Sequence, residues 1–302
     1  MMSANSWYIA GQGAIGSLVA STAQSHDINV EMIVRTDKTK QRLFFVDHHK
    51  NSWGLPQAKT LQQCNDIKNL FIPLKSYDVI PFLKQILDKL SPQANIVLCH
   101  NGLGTIEDAL EILPDTCQLY FCITNNGVYK ENEQIIHAGL GESFCSLVTK
   151  PNNNQVQARL TESDFSKLLP DCKASEDLDS LLWRKLMINC AINPLTAIEG
   201  IKNGNLSDPK YLTKIKQILD EAHIISSALE IKIDRDEIES IVFAVINATA
   251  LNTSSMAQDV LKGKQTEIDY INGYISKMGK ALSIATPLND QLVSQIKSLN
   301  VD

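Results

Sequence analysis

The sequence has no run of apolar residues long enough to cross a membrane. A transmembrane helix needs about 18 or more consecutive, mostly apolar residues, and no stretch of this 302-residue chain reaches that length. The first residues, MMSANSWYIAGQG, also lack the basic region, long apolar core and cleavage site of a secretory leader. We therefore expect a cytoplasmic protein without a membrane partner.

The sequence also lacks the spacings of disulfide frameworks and metal sites. Its seven cysteines are scattered and never form a C-x-x-C pair, and its six histidines show no ligand spacing. The net charge is −6, whereas proteins that bind nucleic acids usually carry an excess of positive charge. We therefore predict no metal and no nucleic-acid partner.

Length and hydrophobic patterning predict two domains. The chain is long enough for about two domains of roughly 150 residues, and 44% of its residues are hydrophobic. Strand and helix patterns alternate in the first half, whereas from Leu178 onward the hydrophobic period is helical almost throughout. We predict an α/β domain at residues 1–172 and an all-helical domain at residues 173–302. The helices after the first are expected near Pro209–Leu229, Asp234–Thr249, Ser255–Leu261, Glu267–Leu282 and Pro287–Leu299.

A glycine-rich turn follows the first apolar run, Trp7–Ala10. It has the form G-x-G-x-x-G, lies between a strand and a helix, and precedes a second strand, Val30–Val34, at the spacing of a βαβ unit. In such loops the glycines permit a tight turn, close approach to a pyrophosphate and close packing of the helix, whose N-terminus faces the phosphates. The sequence therefore predicts dinucleotide binding by Gly11, Gln12, Gly13, Ala14, Ile15 and Gly16.

Arg35 ends the second predicted strand, where the cofactor ribose is recognised. An acidic residue at this point selects NAD, whereas an arginine suits the 2′-phosphate of NADP. Lys38 and Lys40 follow, and we favour NADP(H); alternatively, Arg35 pairs with Asp37 on the surface. Lys75 and Asn101 follow later strands, at the strand ends where open α/β sheets bind ligands. They are expected to touch the cofactor, unless they are ordinary loop residues.

The segment WRKLMINCAINPLTAIEG, from Trp183, carries a polar row on an apolar helix. Lys185, Asn189 and Asn193 are four residues apart and therefore stack on one face. Polar groups on a helix that is apolar all round are costly unless they are paired, so this row favours a polar cavity. The alternative is that the asparagines cap neighbouring backbone and Lys185 extends to the surface. Glu267, at a later helix start, could face the same cavity as Lys185.

These segments together resemble ketopantoate reductase, the NADPH-dependent family that reduces 2-dehydropantoate in pantothenate and coenzyme A biosynthesis. The resemblance spans nearly the whole chain, and its most specific parts are the segments from Trp183 and Lys264. It rests on GQGAIGS at Gly11, LK at Leu74, HNGLGT at His100, HAGLGE at His137, WRKLMINCAINPLTAIEG at Trp183, SSMAQD at Ser254 and KQTEIDYINGYI at Lys264.

The resemblance implies a Rossmann-type dinucleotide-binding domain followed by an all-α domain of the 6-phosphogluconate-dehydrogenase-like kind. It implies that Lys185 is the general acid and that Glu267 orients the substrate hydroxyl or the lysine. Asn189, Asn193 and Ser255 would hold the substrate's oxygen atoms. Asn101 would lie near the nicotinamide and the substrate, while Glu267, Lys75 and Arg35 would contact NADPH or NADP+.

Two other functions remain open from the sequence. One keeps the fold and cofactor but reduces another small 2-oxo acid. The other is a non-catalytic NADP-binding sensor, which would be expected to have lost Lys185 or Glu267, and both are present. The sequence leaves both a monomer and a homodimer open.

Overall fold

The computed structural model describes residues 6–37, 42–148 and 158–299. Its backbone forms two compact units, one of Met1–His100 with Thr105–Leu178 and one of Asn101–Gly104 with Asp179–Asp302. Lys38 and Lys40 lie outside the described residues. In the described part, no helix is long and apolar enough to span a membrane. The predicted division into an NADP-binding domain at residues 1–172 and a substrate-binding and catalytic domain at residues 173–302 stays a prediction.

Among the described residues, the first unit contains twelve strands. They are β1 (Trp7–Ala10), β2 (Val30–Val34), β3 (Phe44–Val46), β4 (Ser52–Gly54), β5 (Ala58–Thr60), β6 (Ile67–Ile72), β7 (Leu90–Leu98), β8 (Gln118–Thr124), β9 (Gly127–Glu131), β10 (Gln134–Gly139), β11 (Ser143–Val148) and β12 (Cys172–Ala174). The helices of this unit are α1 (Ala14–Ser25), α2 (Ser76–Ile86), α3 (Thr105–Ile112) and α4 (Glu162–Ser166).

Eight of these strands form one sheet in the order β12-β11-β8-β7-β6-β1-β2-β5. All neighbours are parallel except β11 and β8, which are antiparallel. The chain runs outward from β1 to β2 and β5, then returns to β6 on the other side of β1. This reversal creates a crevice beyond the carboxyl end of β1, where open α/β sheets bind their ligands. The predicted dinucleotide-binding architecture follows from this order.

Four further strands form a second sheet in the order β4-β3-β10-β9. The sequence analysis did not identify β3, β4, β5 or β9, because strands of three to five residues give little periodic signal. β10 belongs to this sheet, whereas β11 belongs to the large one. The chain passes from one sheet to the other between β8 and β9 and again between β10 and β11. These two connections are joined by a hydrogen bond, in which Asn126 Nδ2 donates to the Gly141 carbonyl at 2.7 Å.

The second unit is helical, as predicted. Its helices are α5 (Leu178–Glu199), α6 (Pro209–Ala228), α7 (Arg235–Ala248), α8 (Ser255–Leu261), α9 (Asn272–Leu282) and α10 (Pro287–Leu299). Asp234 caps α7 by accepting a hydrogen bond from the Glu237 backbone N–H at 2.7 Å. The single helix predicted over Glu267–Leu282 is wrong. A 3₁₀ turn, Ile268–Tyr270, precedes α9, because the Glu267 carbonyl accepts from the N–H groups of both Tyr270 and Ile271.

Candidate active site

The three glycines of the first loop meet different surroundings. Gly11 has φ +90°, a conformation that favours glycine, and its N–H donates to the Ile33 carbonyl at 2.7 Å. A Cβ added to Gly16 would lie 2.9 Å from the Gly11 carbonyl oxygen, whereas one added to Gly13 would meet no heavy atom within 4 Å. Gly16 therefore serves helix packing, while Gly13 leaves open space at the N-terminus of α1. This division fits the predicted pyrophosphate contact at Gly13.

A cavity of about 730 Å³ opens beside this loop. Gly11 and Gln12 line it together with the end of β2, Leu74 and one face of α2. Its volume is within the range of pockets that hold small ligands. The α2 face contributes Asp78, Pro81, Phe82 and Gln85, none of which the sequence analysis had proposed as binding residues.

Arg35 and Asp78 both line this cavity, and their side chains form an ion pair. The Arg35 side chain is 73% exposed, whereas that of Asp78 is 29% exposed. Asp78 lies in the first turn of α2, where a carboxylate is favoured by the helix dipole. The sequence analysis had offered Asp37 as the partner. Arg35 thus lies where it was expected, at the end of β2, but a carboxylate from a distant helix contacts its guanidinium.

Lys75 follows Leu74 and occupies the position just before α2. Its side chain is half-buried, and its backbone carbonyl accepts from the Asp78 N–H at 2.8 Å. It therefore comes after the carboxyl end of β6, as predicted. Asn101 belongs to the second compact unit.

In the second unit, α5 carries the predicted polar row. Lys185 and Asn189 are half-buried, and Asn193 is buried. The Asn189 Nδ2 atom is buried, and within the described part of the chain it has no hydrogen-bond partner. Buried polar groups are normally paired, and an unpaired amide costs about 1–3 kcal/mol. The capping alternative therefore does not account for the Asn189 amide nitrogen.

Cys190, in the same helix, is not suited to act as a nucleophile. It is fully buried, and burial raises the pKa of its thiol far above the usual range. The thiol therefore stays protonated at neutral pH, and thiolates rather than thiols are the reactive species. Among the predicted site residues of α5, the Lys185 amine and the amides of Asn189 and Asn193 are the remaining polar groups.

The start of α8 is tied to α5 through Ser254. This buried serine caps α8 by accepting from the Ala257 N–H at 3.1 Å, and its Oγ lies 2.7 Å from Thr196 Oγ1 on α5. Ser255, the predicted substrate ligand, occupies the exposed first position of α8. The sequence analysis missed the contact between Ser254 and Thr196, which are 58 residues apart.

Glu267 is buried, with 4% of its surface exposed, immediately before the 3₁₀ turn. The loop Asn101–Gly104 reaches the same segment, since the Leu103 N–H donates to the Tyr270 carbonyl at 2.8 Å. Gly102 has φ +81°, and a Cβ there would lie 2.4 Å from the Tyr270 carbonyl oxygen. The second unit therefore places the Asn101 loop beside the Glu267 segment, two features that the sequence analysis treated separately.

Known proteins match both parts of the chain. Residues 7–147 match the family model of ketopantoate reductase PanE/ApbA, and residues 177–300 match the model of its C-terminal part. The 2-dehydropantoate 2-reductase of Vibrio cholerae is 33% identical over 291 residues, covering 96% of each chain.

Solved structures share the fold. A ternary structure of D-mandelate dehydrogenase with NADH and anilino(oxo)acetate superposes with a TM-score of 0.87 at 22% identity and 98% coverage of both chains. The probable 2-dehydropantoate 2-reductase of Bacillus subtilis gives 0.78 at 25% identity, covering 97% of this chain and 99% of that one. The predicted fold class, a Rossmann-type unit followed by a helical unit, is confirmed. This chain belongs to the ketopantoate reductase PanE/ApbA family of oxidoreductases.

Proposed function

We propose that this chain reduces 2-dehydropantoate to (R)-pantoate with NADPH, a step of pantothenate and coenzyme A biosynthesis. The Vibrio cholerae relative, which matches this chain over nearly its full length, is named for this activity. The structural observation that carries the proposal is the buried, unpartnered Asn189 amide one helical turn from Lys185. An amide donor and an ammonium on one face suit a substrate that presents several oxygen atoms.

The chemistry requires an acid beside the reacting carbonyl. NADPH, when bound, would supply a hydride for the ketone carbon, so that negative charge would develop on the ketone oxygen. The Lys185 ammonium stabilises this charge and donates a proton to the oxygen, which yields the hydroxyl of pantoate. Glu267 orients Lys185 or the new hydroxyl, and Asn189, Asn193 and Ser255 hold the substrate's other oxygen atoms. Asn101 and Glu267 also contact the cofactor.

The residues of the first unit fit a dinucleotide. The open space at Gly13 and the N-terminus of α1 suit the pyrophosphate. Arg35 and Lys75 would contact the cofactor, and Arg35 would bind its 2′-phosphate. The cytoplasmic location and the state of assembly, as a monomer or a homodimer, stay predictions.

Cofactor choice is expected to depend on the Arg35–Asp78 pair. Arg35→Ala should weaken NADPH binding about 10-fold or more, because a charge-assisted hydrogen bond contributes about 1.5–3 kcal/mol, while NADH binding should change little. Asp78→Asn should strengthen NADPH binding, since the carboxylate no longer competes with the phosphate for the guanidinium. Calorimetric titration of the ligand-free protein with each nucleotide measures both effects. Equal losses for NADH and NADPH in Arg35→Ala would remove Arg35 from phosphate recognition.

The function is tested by following NADPH oxidation with the purified protein. The substrates are 2-dehydropantoate, pyruvate and 2-oxoisovalerate, and each is run with NADPH and with NADH. We expect fast turnover only with 2-dehydropantoate and NADPH. Turnover confined to another 2-oxo acid would overturn the substrate, and NADPH binding without reduction of any ketone would leave only a nucleotide-binding protein.

A further inference from the structure

The helix that bears the polar row contains a proline, Pro194. In an α-helix each N–H donates to the carbonyl four residues earlier, but Pro194 has no N–H. The Cys190 carbonyl therefore cannot receive its regular bond. Cys190 is fully buried, so water does not replace the missing donor. Another part of the protein must satisfy this oxygen, because buried carbonyls are almost always paired.

Asn272 supplies the donor. Its Nδ2 donates to the Cys190 carbonyl at 3.2 Å and to Asn289 Oδ1 at 2.9 Å. Asn272 lies at the first position of α9, 82 residues from Cys190, and neither asparagine is exposed. The gap that Pro194 leaves in α5 is thus closed by a side chain from another helix.

The hydrogen bonds of Asn272 and Asn289 end at a carboxylate, which determines which of their amide groups donates and which accepts. Glu221 of α6 only accepts when ionised, and it receives Asn289 Nδ2 at 2.7 Å and the backbone N–H groups of Leu288 and Asn289 at 2.9 and 3.0 Å. Asn289 must therefore present its oxygen to Asn272, which in turn presents both N–H groups. In this orientation Asn272 Oδ1 has no partner among the described residues. Donation to Cys190 is the orientation that the network enforces.

The backbone bond that Pro194 cannot make falls between members of the polar row. Lys185 and Asn189 precede the Cys190 carbonyl, whereas Asn193 lies between Cys190 and Pro194, within the turn that lacks its backbone bond. Helices bend where a proline removes a backbone bond, so the donor at Cys190 fixes the position of Asn193 relative to the other two side chains.

We propose that Asn272 is a positioning residue for substrate binding, which holds the polar row of α5 in register by replacing the backbone donor that Pro194 lacks. This inference rests on the proposed function, because it takes the row to bind the substrate. Asn272 itself acts through Cys190 and not on the substrate. Its loss should therefore affect substrate use and leave nucleotide affinity unchanged.

The test is a double-mutant cycle between Asn272 and Pro194. Asn272→Ala should lower kcat/KM for 2-dehydropantoate about tenfold, the order expected for an unsatisfied buried acceptor, with an unchanged NADPH dissociation constant. Pro194→Ala restores the N–H that Cys190 lacks. In the Pro194→Ala background, Asn272→Ala should then lower kcat/KM less than about threefold, since contacting residues are coupled in such cycles.

Asn203→Ala is the matched control. Asn203 is also a buried asparagine of the second unit, and its Nδ2 donates to Thr249 Oγ1 at 2.9 Å. Its removal should lower the melting temperature without lowering kcat/KM, and Pro194→Ala should not compensate for it. If Asn272→Ala behaves like this control, Asn272 has a structural role only. If it impairs kcat/KM equally in both backgrounds, Cys190 is not the route of its effect.

Hydrogen exchange separates this inference from the proposed function. The amide protons of Ala191, Ile192, Asn193 and Leu195 should exchange faster in Asn272→Ala and regain protection in the double variant. This readout requires no turnover, so it tests the link between Asn272 and α5 even if the protein does not reduce 2-dehydropantoate. Unchanged protection in Asn272→Ala would overturn the inference. Asn272→Ser, which keeps a small hydroxyl in the network, serves the same comparison if Asn272→Ala does not fold.

Discussion

Lys185→Ala is expected to lower kcat for 2-dehydropantoate by about 10²- to 10⁴-fold, the usual loss when a positioned acid is removed. The ammonium is the group proposed to neutralise and protonate the ketone oxygen as the hydride arrives. Alanine can do neither, and water would have to supply the proton. NADPH affinity should stay nearly intact, because Arg35 and the glycine loop bind the nucleotide in this proposal. Single-turnover kinetics with preformed NADPH complex isolate the chemical step.

Two companion variants make this result specific to the acid. Arg184→Ala removes the neighbouring cation, whose side chain forms a two-point contact with Glu237 at 2.8 and 3.2 Å on the surface. Exposed pairs contribute about 1 kcal/mol or less, so this variant should keep its turnover. Lys185→Arg retains the charge but is a poor acid, because arginine does not give up its proton in proteins. A Lys185→Ala enzyme with full turnover would remove Lys185 from the mechanism.

Local sequence patterns predicted the elements that carry the glycine loop and the polar row. The glycine spacing between Trp7–Ala10 and Val30–Val34 identifies a βαβ unit because the turn, helix and second strand follow one another directly in the sequence. The period of four in α5 placed Lys185, Asn189 and Asn193 on one face for the same reason. By contrast, β3, β4 and β5 contain only three residues each, too few to show an alternation.

Contacts between distant residues surround the candidate site residues, and no pattern within one segment reveals them. Arg35 and Asp78 are 43 residues apart, and Cys190 and Asn272 are 82 apart. The sequence identified Pro194 and Asn272 as parts of two motifs without showing that one compensates for the other. The unpartnered Asn189 amide became visible only once its surroundings were known. The assignments of Lys185, Glu267 and the other site residues stay predictions until they are measured.

Gly102→Ala is expected to lower both stability and turnover. The positive φ of Gly102 costs an L-residue about 1–2 kcal/mol, and the added Cβ would lie 2.4 Å from the Tyr270 carbonyl oxygen. The other close atoms are the carbonyl carbon and Cβ of Tyr270, which no side-chain rotation can move away, so the loop must move, at an overpacking cost of about 1–3 kcal/mol. That movement breaks the 2.8 Å bond from Leu103 to Tyr270. Asn101 and Glu267 lie on the two displaced segments, so kcat/KM should fall together with the urea midpoint.

Gly263→Ala isolates the collision from the backbone strain. Gly263 also has a positive φ, +58°, and belongs to the same unit, but a Cβ there meets no heavy atom within 4 Å. Its substitution should therefore carry only the cost of the conformation and should leave kcat/KM unchanged. The difference between the two urea midpoints then measures what the contact between the Asn101 loop and Tyr270 contributes. Gly102→Ala could instead be as stable and as active as Gly263→Ala. The loop would then accommodate the added Cβ without cost, and its contact with the Glu267 segment would not position Asn101.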